Sequence, residues 1–449
     1  MKKFFESLSN VWKIEELKNR ILVTLGLLLV YRFGAHVTLP GIDATQLHSL
    51  AGQTDKGIGS ILDMFTGGAF SKASVFALGI MPYISASIVV QLMGIAIPYL
   101  QKLQKDGESG RKKLNQITRW LTIAITLVQG PGYIYNLYRT LPNSAFLLGF
   151  DSFSFLFSSV LILTTGTIFA MWLGEKITDK GIGNGISLLI MVGILARLPQ
   201  ALYQEFASKM SGQSTGGPML LVIEVIVWLL IIIACVLLVM AVRKIPVQYA
   251  RRTTTGDFEQ DMMGGNRQWI PLKLNSAGVM PIIFAQAIMF IPAAVAGLSK
   301  SETSQSIAST FSNMFGLWYC VVFASLIVIF TFFYTAITVP TNKMADDLKR
   351  SGGFIPGVKP GVETADFLDR IMSLITFPGS LFLALLAVFP ALVASVLDVQ
   401  SQWAHFFGGT SLLIMVGVAI DTVQQINSYL LNRHYDGLMK TGKNRKAVA

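Results

Sequence analysis

Apolar stretches of about 20 residues, each long enough to cross a ~30 Å hydrocarbon layer as a helix, recur along this chain, and its basic residues fall on every second gap between them. Ten such stretches lie near 20–38, 73–97, 117–138, 153–174, 183–205, 218–242, 275–298, 315–339, 371–397 and 405–431. Of the 36 Lys and Arg, only Lys56, Lys72, Arg139, Arg197 at the end of the fifth stretch, Lys209 and Lys300 fall on the other gaps or their borders, and Arg32 lies inside the first stretch. All the others sit at the N-terminus or after the second, fourth, sixth, eighth and tenth stretches. Loops rich in Lys and Arg are retained on the cytoplasmic side, so both termini are expected there. With 52% hydrophobic and 14% charged residues and a mean hydropathy of +0.57, the chain is too apolar for a soluble domain of its length. The expectation is an all-α polytopic membrane protein with ten transmembrane helices.

The net charge of +11 raises the question of nucleic acid. Its basic residues are spread over loops on one side rather than gathered on an aromatic-rich face, which favours anionic lipids or an acidic cytoplasmic partner. Cys235 and Cys320 fall mid-stretch, where they act as small apolar residues. In the first 19 residues Phe4, Leu8, Val11 and Trp12 recur at helical spacing among lysines, which suits a cytoplasmic amphipathic segment on the inner leaflet.

An internal repeat organises the middle of the chain. Gly79, Met81, Pro82, Ile84 and Ala86 of the second stretch recur 199 positions later as Gly278, Met280, Pro281, Ile283 and Ala285 of the seventh. Gly185, Ser187, Leu188, Leu189 and Ile190 of the fifth match Gly409, Ser411, Leu412, Leu413 and Ile414 of the tenth. Halves of five spans each (20–205 and 206–431, with a basic cytoplasmic tail at 432–449) must run in opposite directions through the bilayer. Counted from the starts of their stretches, Ile84, Ile190, Ile283 and Ile414 fall near the midplane. Facing one another they would make a hydrophobic constriction; facing outward they would be ordinary lipid contacts.

Within 57–68, Ile58, Ile61, Leu62 and Phe65 follow the i, i+3, i+4, i+7 pattern, and Gly67 and Gly68 end the turn. A dozen residues cannot span the bilayer, so this external stripe either re-enters the protein or lies on the surface.

The stretches GGAFSKASVFALGIMPYISASIVVQL (67–92), KDGESGRKK (105–113), MWLGEKITDKGIGNGIS (171–187), PLKLNSAGVMPIIFA (271–285), FFYTAIT (332–338), GGFIPGVKPG (352–361) and GGTSLLI (408–414) together resemble the SecY family of bacterial protein-translocase channel subunits. The likeness runs from about residue 20 to 435. It implies an inverted clamshell of two five-helix halves around an hourglass pore in the bacterial plasma membrane, with a waist formed by Ile80, Ile84, Ile190, Ile283 and Ile414. It also implies that the short helix at 57–68 is a plug, and that a lateral gate carries polar contacts at Ser85, Gln129 and Asn275. Pro82 and Pro281 are expected to kink the gate helices. The resemblance implies that the loops 243–274 and 340–370 dock the ribosome and the SecA motor ATPase through Arg243, Lys244, Arg251, Arg252, Arg267 and Lys359. Lys359 stands where the family usually has Arg, which loses the bidentate geometry. The small subunits SecE and SecG and the signal sequences of preproteins complete the implied partners.

The sequence offers little for catalysis. The four His are scattered, GESGRKK lacks phosphate-loop spacing, and GIGNG precedes an apolar helix rather than following a strand. No cofactor is expected, and the energy for transport must come from a partner. A secondary transporter is the rival reading, since inverted repeats occur there too. Glu224 and Asp421 are the clearest mid-span acids, and Glu224 is expected to snorkel outward. An intramembrane hydrolase would need a nucleophile and base that no spacing supplies.

Overall fold

The computed structural model describes residues 12, 14–47, 63–142, 145–146, 152–211, 217–249, 267–286, 288–289, 316–397 and 399–445. The chain divides into two compact units, 1–213 with 400–403 and 414–449, and 214–399 with 404–413.

The first unit holds α1 (Glu15–Gly34), α2 (Met81–Ala96), α3 (Pro98–Lys105), α4 (Gly107–Thr140), α5 (Ser152–Lys180) and α6 (Gly185–Met210). In α4, Thr118, Thr122 and Thr126 are buried, and each hydroxyl donates to the carbonyl four residues earlier at 2.9, 2.7 and 2.7 Å. The hydroxyls are thereby satisfied within their own helix and can face an apolar neighbour. Asn184 caps α6, its side-chain oxygen accepting the N–H groups of Ile186 and Ser187. Close helix approach depends on missing side chains: a Cβ on Gly185 would lie 2.0 Å from the Gly174 carbonyl oxygen, and one on Gly166 would lie 2.2 Å from the Val75 carbonyl oxygen. Both obstacles are backbone atoms, so neither can swing aside. Near the end of α6, Glu205 and Lys209 are fully buried and paired at 3.6 Å, and Glu205 Oε2 accepts the Gln400 N–H at 3.1 Å. This ties the segment before the last long helix to α6.

The second unit contains α7 (Gly217–Met240), the strands β1 (Val242–Tyr249) and β2 (Arg267–Lys273), α8 (Leu317–Thr338), α9 (Thr341–Arg350), β3 (Gly353–Phe354) and α10 (Val362–Leu397). Residues 280–286 are helical as well. The short helix α11 (Ser401–Ala404) and the long α12 (Gly409–Arg445) follow, with α12 entering the first unit at Ile414. Glu224 of α7 is fully buried rather than snorkelling, while Asp421 of α12 is exposed.

Each of the ten apolar stretches carries helix among the described residues. Among the described residues six helices are individually long and apolar enough to cross a membrane, and the bent pair α2 and α3, taken as one span, makes a seventh. Ile97, extended because a proline follows it, sets that bend. The count of ten crossings therefore rests on the sequence pattern.

Three features depart from the all-helical expectation. Residues 242–249, 267–273 and 353–354 form a three-stranded antiparallel sheet in the order β2-β1-β3. Ile245 and Val247 alternate along β1 to face a core with Leu272, Leu348, Ile355, Leu368 and Met372, while Arg243 and Lys244 stay outside. That period of two is too short, and too interrupted by Lys244 and Pro246, to stand out beside the long spans. The second departure is the start of α2 at Met81 rather than near 73; residues 73–80 are turns, with Ala73 at φ +44° and Gly79 at φ +53°. The third follows from it: Pro82 and Pro281 are the second residues of their helices, where a missing N–H breaks no helical bond. They start these helices instead of kinking them.

Replacing Gly185 with Ala should force α5 and α6 apart and destabilise the protein by about 1–3 kcal/mol, read as a lower midpoint for thermal unfolding in detergent.

Candidate functional site

Residues 63–80 thread mostly irregular backbone through the first unit, and many of their polar groups bond to other parts of the protein. The Leu39 N–H donates to the Ala73 carbonyl at 2.8 Å and the Val75 N–H to the Val37 carbonyl at 2.9 Å. Tyr133 of α4 donates its buried hydroxyl to the Phe70 carbonyl at 2.8 Å, its ring against that of Phe70. Apolar side chains around this segment, including Leu39, Phe70, Ile134, Leu137 and Leu163, make one continuous core.

The end of the short helix is seated among charges. Residues 63–65 are helical, Phe65 is buried, and Gly67 (φ +64°) and Gly68 (φ +90°) turn the chain as the glycine pair predicts. Ile58, Ile61 and Leu62 lie outside the described residues. Asp63 is 2% exposed and forms an ion pair with Arg197 of α6. Asp63 Oδ1 also accepts the Ser71 N–H at 2.7 Å, and Arg197 Nη2 donates to Ser71 Oγ at 3.0 Å. From α1, Arg32 Nη1 donates to the Gly67 carbonyl at 2.6 Å. A Cβ on Gly67 would lie 2.8 Å from both Arg32 Nη1 and the Gly193 Cα, and one on Gly193 would lie 2.6 Å from the Phe65 carbonyl oxygen. Two glycines thus let the segment lie directly on α6. Beside it, a cavity of about 400 Å³ is lined by Arg32, Lys72, Arg197 and Gln200, among others. Burial first, and the Arg32 charge second, hold the Lys72 ammonium below its ordinary pKa.

No motif or period in the sequence singles out Arg32, Asp63, Ser71 or Arg197 for a role. Arg32 was visible as a cation inside the first apolar stretch, and Arg197 as one near the end of the fifth, 183–205, which is α6.

Ile80, Ile190 and Ile414 are buried, whereas Ile84 and Ile283 are half-buried. None is exposed in the manner of Leu29 or Val128, at 70% and 78%. Their depth needs correction: Ile84 and Ile283 are each the fourth residue of a helix, and Ile190 and Ile414 the sixth. Position in the helix therefore does not by itself put them at the midplane. The repeat survives in finer detail. Gly79 and Gly278 are both left-handed, and the N–H groups of Ile84 and Ile283 donate to the matched carbonyls of Ile80 and Val279 at 3.0 and 3.3 Å. Ile80, Ile84, Ile190 and Ile414 belong to the first unit and Ile283 to the second.

Of the expected gate residues, Ser85 is half-buried on α2 and Gln129 exposed on α4, both in the first unit. Asn275 lies in the turn after β2, in the second unit, and its Oδ1 is buried without a hydrogen-bond partner among the described residues. Of the expected docking residues, Arg243 and Lys244 project from β1. Arg267 opens β2 opposite Gln248. Lys359 is exposed and 3.5 Å from Glu363. Arg251 and Arg252 lie outside the described residues. No group of three or more metal-ligating side chains occurs among the described residues.

A multi-span helical protein with a repeated helix start and an irregular segment at 63–80 packed inside its own helices belongs to the class of helical membrane channels and transporters rather than to any soluble enzyme class. The comparisons narrow this. The SecY family model matches residues 74–423. A protein translocase subunit SecY from Streptomyces scabiei is 38% identical over 441 residues, covering 96% of this chain and 99% of that one. The chain belongs to the SecY family, a family of channel subunits and not of enzymes. In fold it is similar to a SecY structure described as having a plug domain that stabilises the closed state of the translocation channel and maintains a membrane seal, with a TM-score of 0.60 at 18% identity over 92% of each chain. It is also similar to Sec61 in a canine ribosome-channel complex from the endoplasmic reticulum, with a TM-score of 0.54 at 15% identity over 92% of each chain.

Tyr133→Phe removes one of two donors to the Phe70 carbonyl, which keeps the Ala73 N–H at 3.3 Å, and should cost about 0.5–1.5 kcal/mol, measurable as a lower unfolding midpoint with helix content unchanged.

Proposed function

We propose that this chain is the protein-conducting channel of a Sec translocase in the bacterial plasma membrane, with both termini cytoplasmic. Unfolded preproteins pass through it, and apolar signal segments leave sideways into lipid. The single observation that carries the reading is the enclosed segment 63–80. Irregular backbone at membrane depth is tolerated only where protein or water surrounds it, and a segment resting there by contacts instead of by a continuous helix can be moved.

Two barriers would keep the idle channel tight. Ile80, Ile84, Ile190, Ile283 and Ile414 form an aliphatic waist that resists ions by dewetting, and the helix at 57–68 closes the funnel above it. The burial of three of these five side chains supports the reading over a lipid-facing one. A lateral gate carrying Ser85, Gln129 and Asn275 releases signal segments because each buried CH₂ gains about 0.8 kcal/mol on leaving water. With SecE and SecG as membrane partners, the chain supplies the path and either the SecA motor or the ribosome supplies the work. Arg243, Lys244, Arg251, Arg252, Arg267 and Lys359 offer cations to acidic or phosphate groups on those partners, and the basic loops also meet anionic lipids. Lys359, spaced i, i+4 from Glu363 and exposed, gives a point charge and not a fork.

Uptake assays in proteoliposomes separate this reading from the transporter and the hydrolase: import of an unfolded preprotein is expected, with neither solute accumulation nor cleavage. In planar bilayers, changing the five isoleucines to Ser should raise resting ion conductance by about tenfold or more, and an unchanged conductance would remove the waist. Cysteines replacing Ser85 and Asn275 should, once crosslinked, block preprotein import; import through the crosslinked channel would place the gate elsewhere.

A further inference from the structure

Four residues that the proposed function leaves unassigned converge on one end of the short helix. Asp63 has lost almost all contact with water, while the Arg197 side chain keeps 16% of its surface exposed. A carboxylate so buried needs a cation and further donors, and it has both: the Arg197 guanidinium and the Ser71 N–H. Ser71 Oγ completes the ring, accepting from Arg197 and donating to the Gly68 carbonyl at 3.2 Å. Arg32 reaches the Gly67 carbonyl from a different helix. The backbone of 65–67 lies on Gly193, and Arg197, one turn further along α6, stands where it can close over Asp63.

We propose that Asp63 and Arg197, assisted by Arg32, are positioning residues that clasp the short helix in its resting place, so that opening the channel requires this ion pair to separate. The inference rests on the plug reading above and assigns its restraint to particular side chains. An apolar seat would hold the helix in proportion to the area buried and would release it only by exposing that area. An ion pair behaves differently, because its attraction inside protein is offset by the hydration that each charge regains when they part. Arg197 keeps part of its side chain accessible, so the clasp can open by hydration from that side. Removing one partner is another matter: it leaves the other charge buried and unmatched, which drives the helix out of its seat.

The test is resting ion conductance of the full-length channel, with its membrane partner subunits, in planar bilayers, after gel filtration has selected monodisperse protein. Asp63→Asn and Arg197→Gln should each raise conductance about tenfold, the size of shift that loss of a differential contact imposes on a two-state equilibrium. The exchange Asp63→Arg with Arg197→Asp should return it to within about threefold of wild type, and Arg197→Lys, which keeps the charge, should stay close to wild type. Deletion of 57–66 is measured alongside. If the deletion leaks and the single variants are as tight as wild type, or if the exchange leaks as much as the single variants, the clasp is overturned and the plug reading stands. A tight deletion channel overturns the plug reading, and the clasp with it.

Discussion

Every peptide group placed in hydrocarbon must find its hydrogen-bond partner within the protein, and in this chain that requirement is most demanding at residues 63–80. Regular helices meet it automatically. This segment is mostly turns, and it borrows peptide partners from elsewhere: Val37 and Leu39 from beyond α1, Tyr133 from α4 and Arg32 from α1, while Arg197 of α6 donates to the Ser71 hydroxyl. The glycines follow from the same demand. Gly166 and Gly193 bring helices against bare backbone, and Gly67, Gly68 and Gly79 take up the left-handed conformations that the turns require.

A segment held this way differs in kind from a helix held by apolar area. Its restraints are a few directional contacts, several of them charged, and they are concentrated at the 63–71 end. Such contacts specify one position sharply while adding little net stability over the solvated alternative. This combination suits the proposed plug, which would have to seal reliably and also leave. The proposed isoleucine waist would add a complementary barrier that depends on shape and dewetting and not on any hydrogen bond.

Much of this could be read in the sequence wherever a period or a repeat carried it. The apolar stretches located helix throughout, and the matched glycines at 79 and 278 foretold matched backbone conformations at the two helix starts. The departures share a cause. Where α2 begins is decided by Pro82 and by the enclosure of 73–80, which hydropathy does not register. The strand β1 is only eight residues long, and its buried Ile245 and Val247 are masked by the cations beside them. The clasp was invisible because its members lie far apart in the chain, Arg197 and Ser71 by 126 positions and Arg32 and Gly67 by 35. No local pattern links such residues; only packing brings them together.

The sheet and α9 share one apolar core with the base of α10 through Leu368 and Met372. A load applied to the exposed face of the hairpin is thus taken up by a 36-residue helix about 54 Å long, which acts as a stiff rod near its base. Pro378, sixteen residues along, removes one rung of the helical ladder, and Gly379 beside it has its absent Cβ position 2.9 Å from the Leu274 carbonyl oxygen. Torque entering at the base therefore meets its first weak joint about 24 Å away, level with the residue that follows β2, so bending and twisting are concentrated there while the two stretches on either side move as solid pieces.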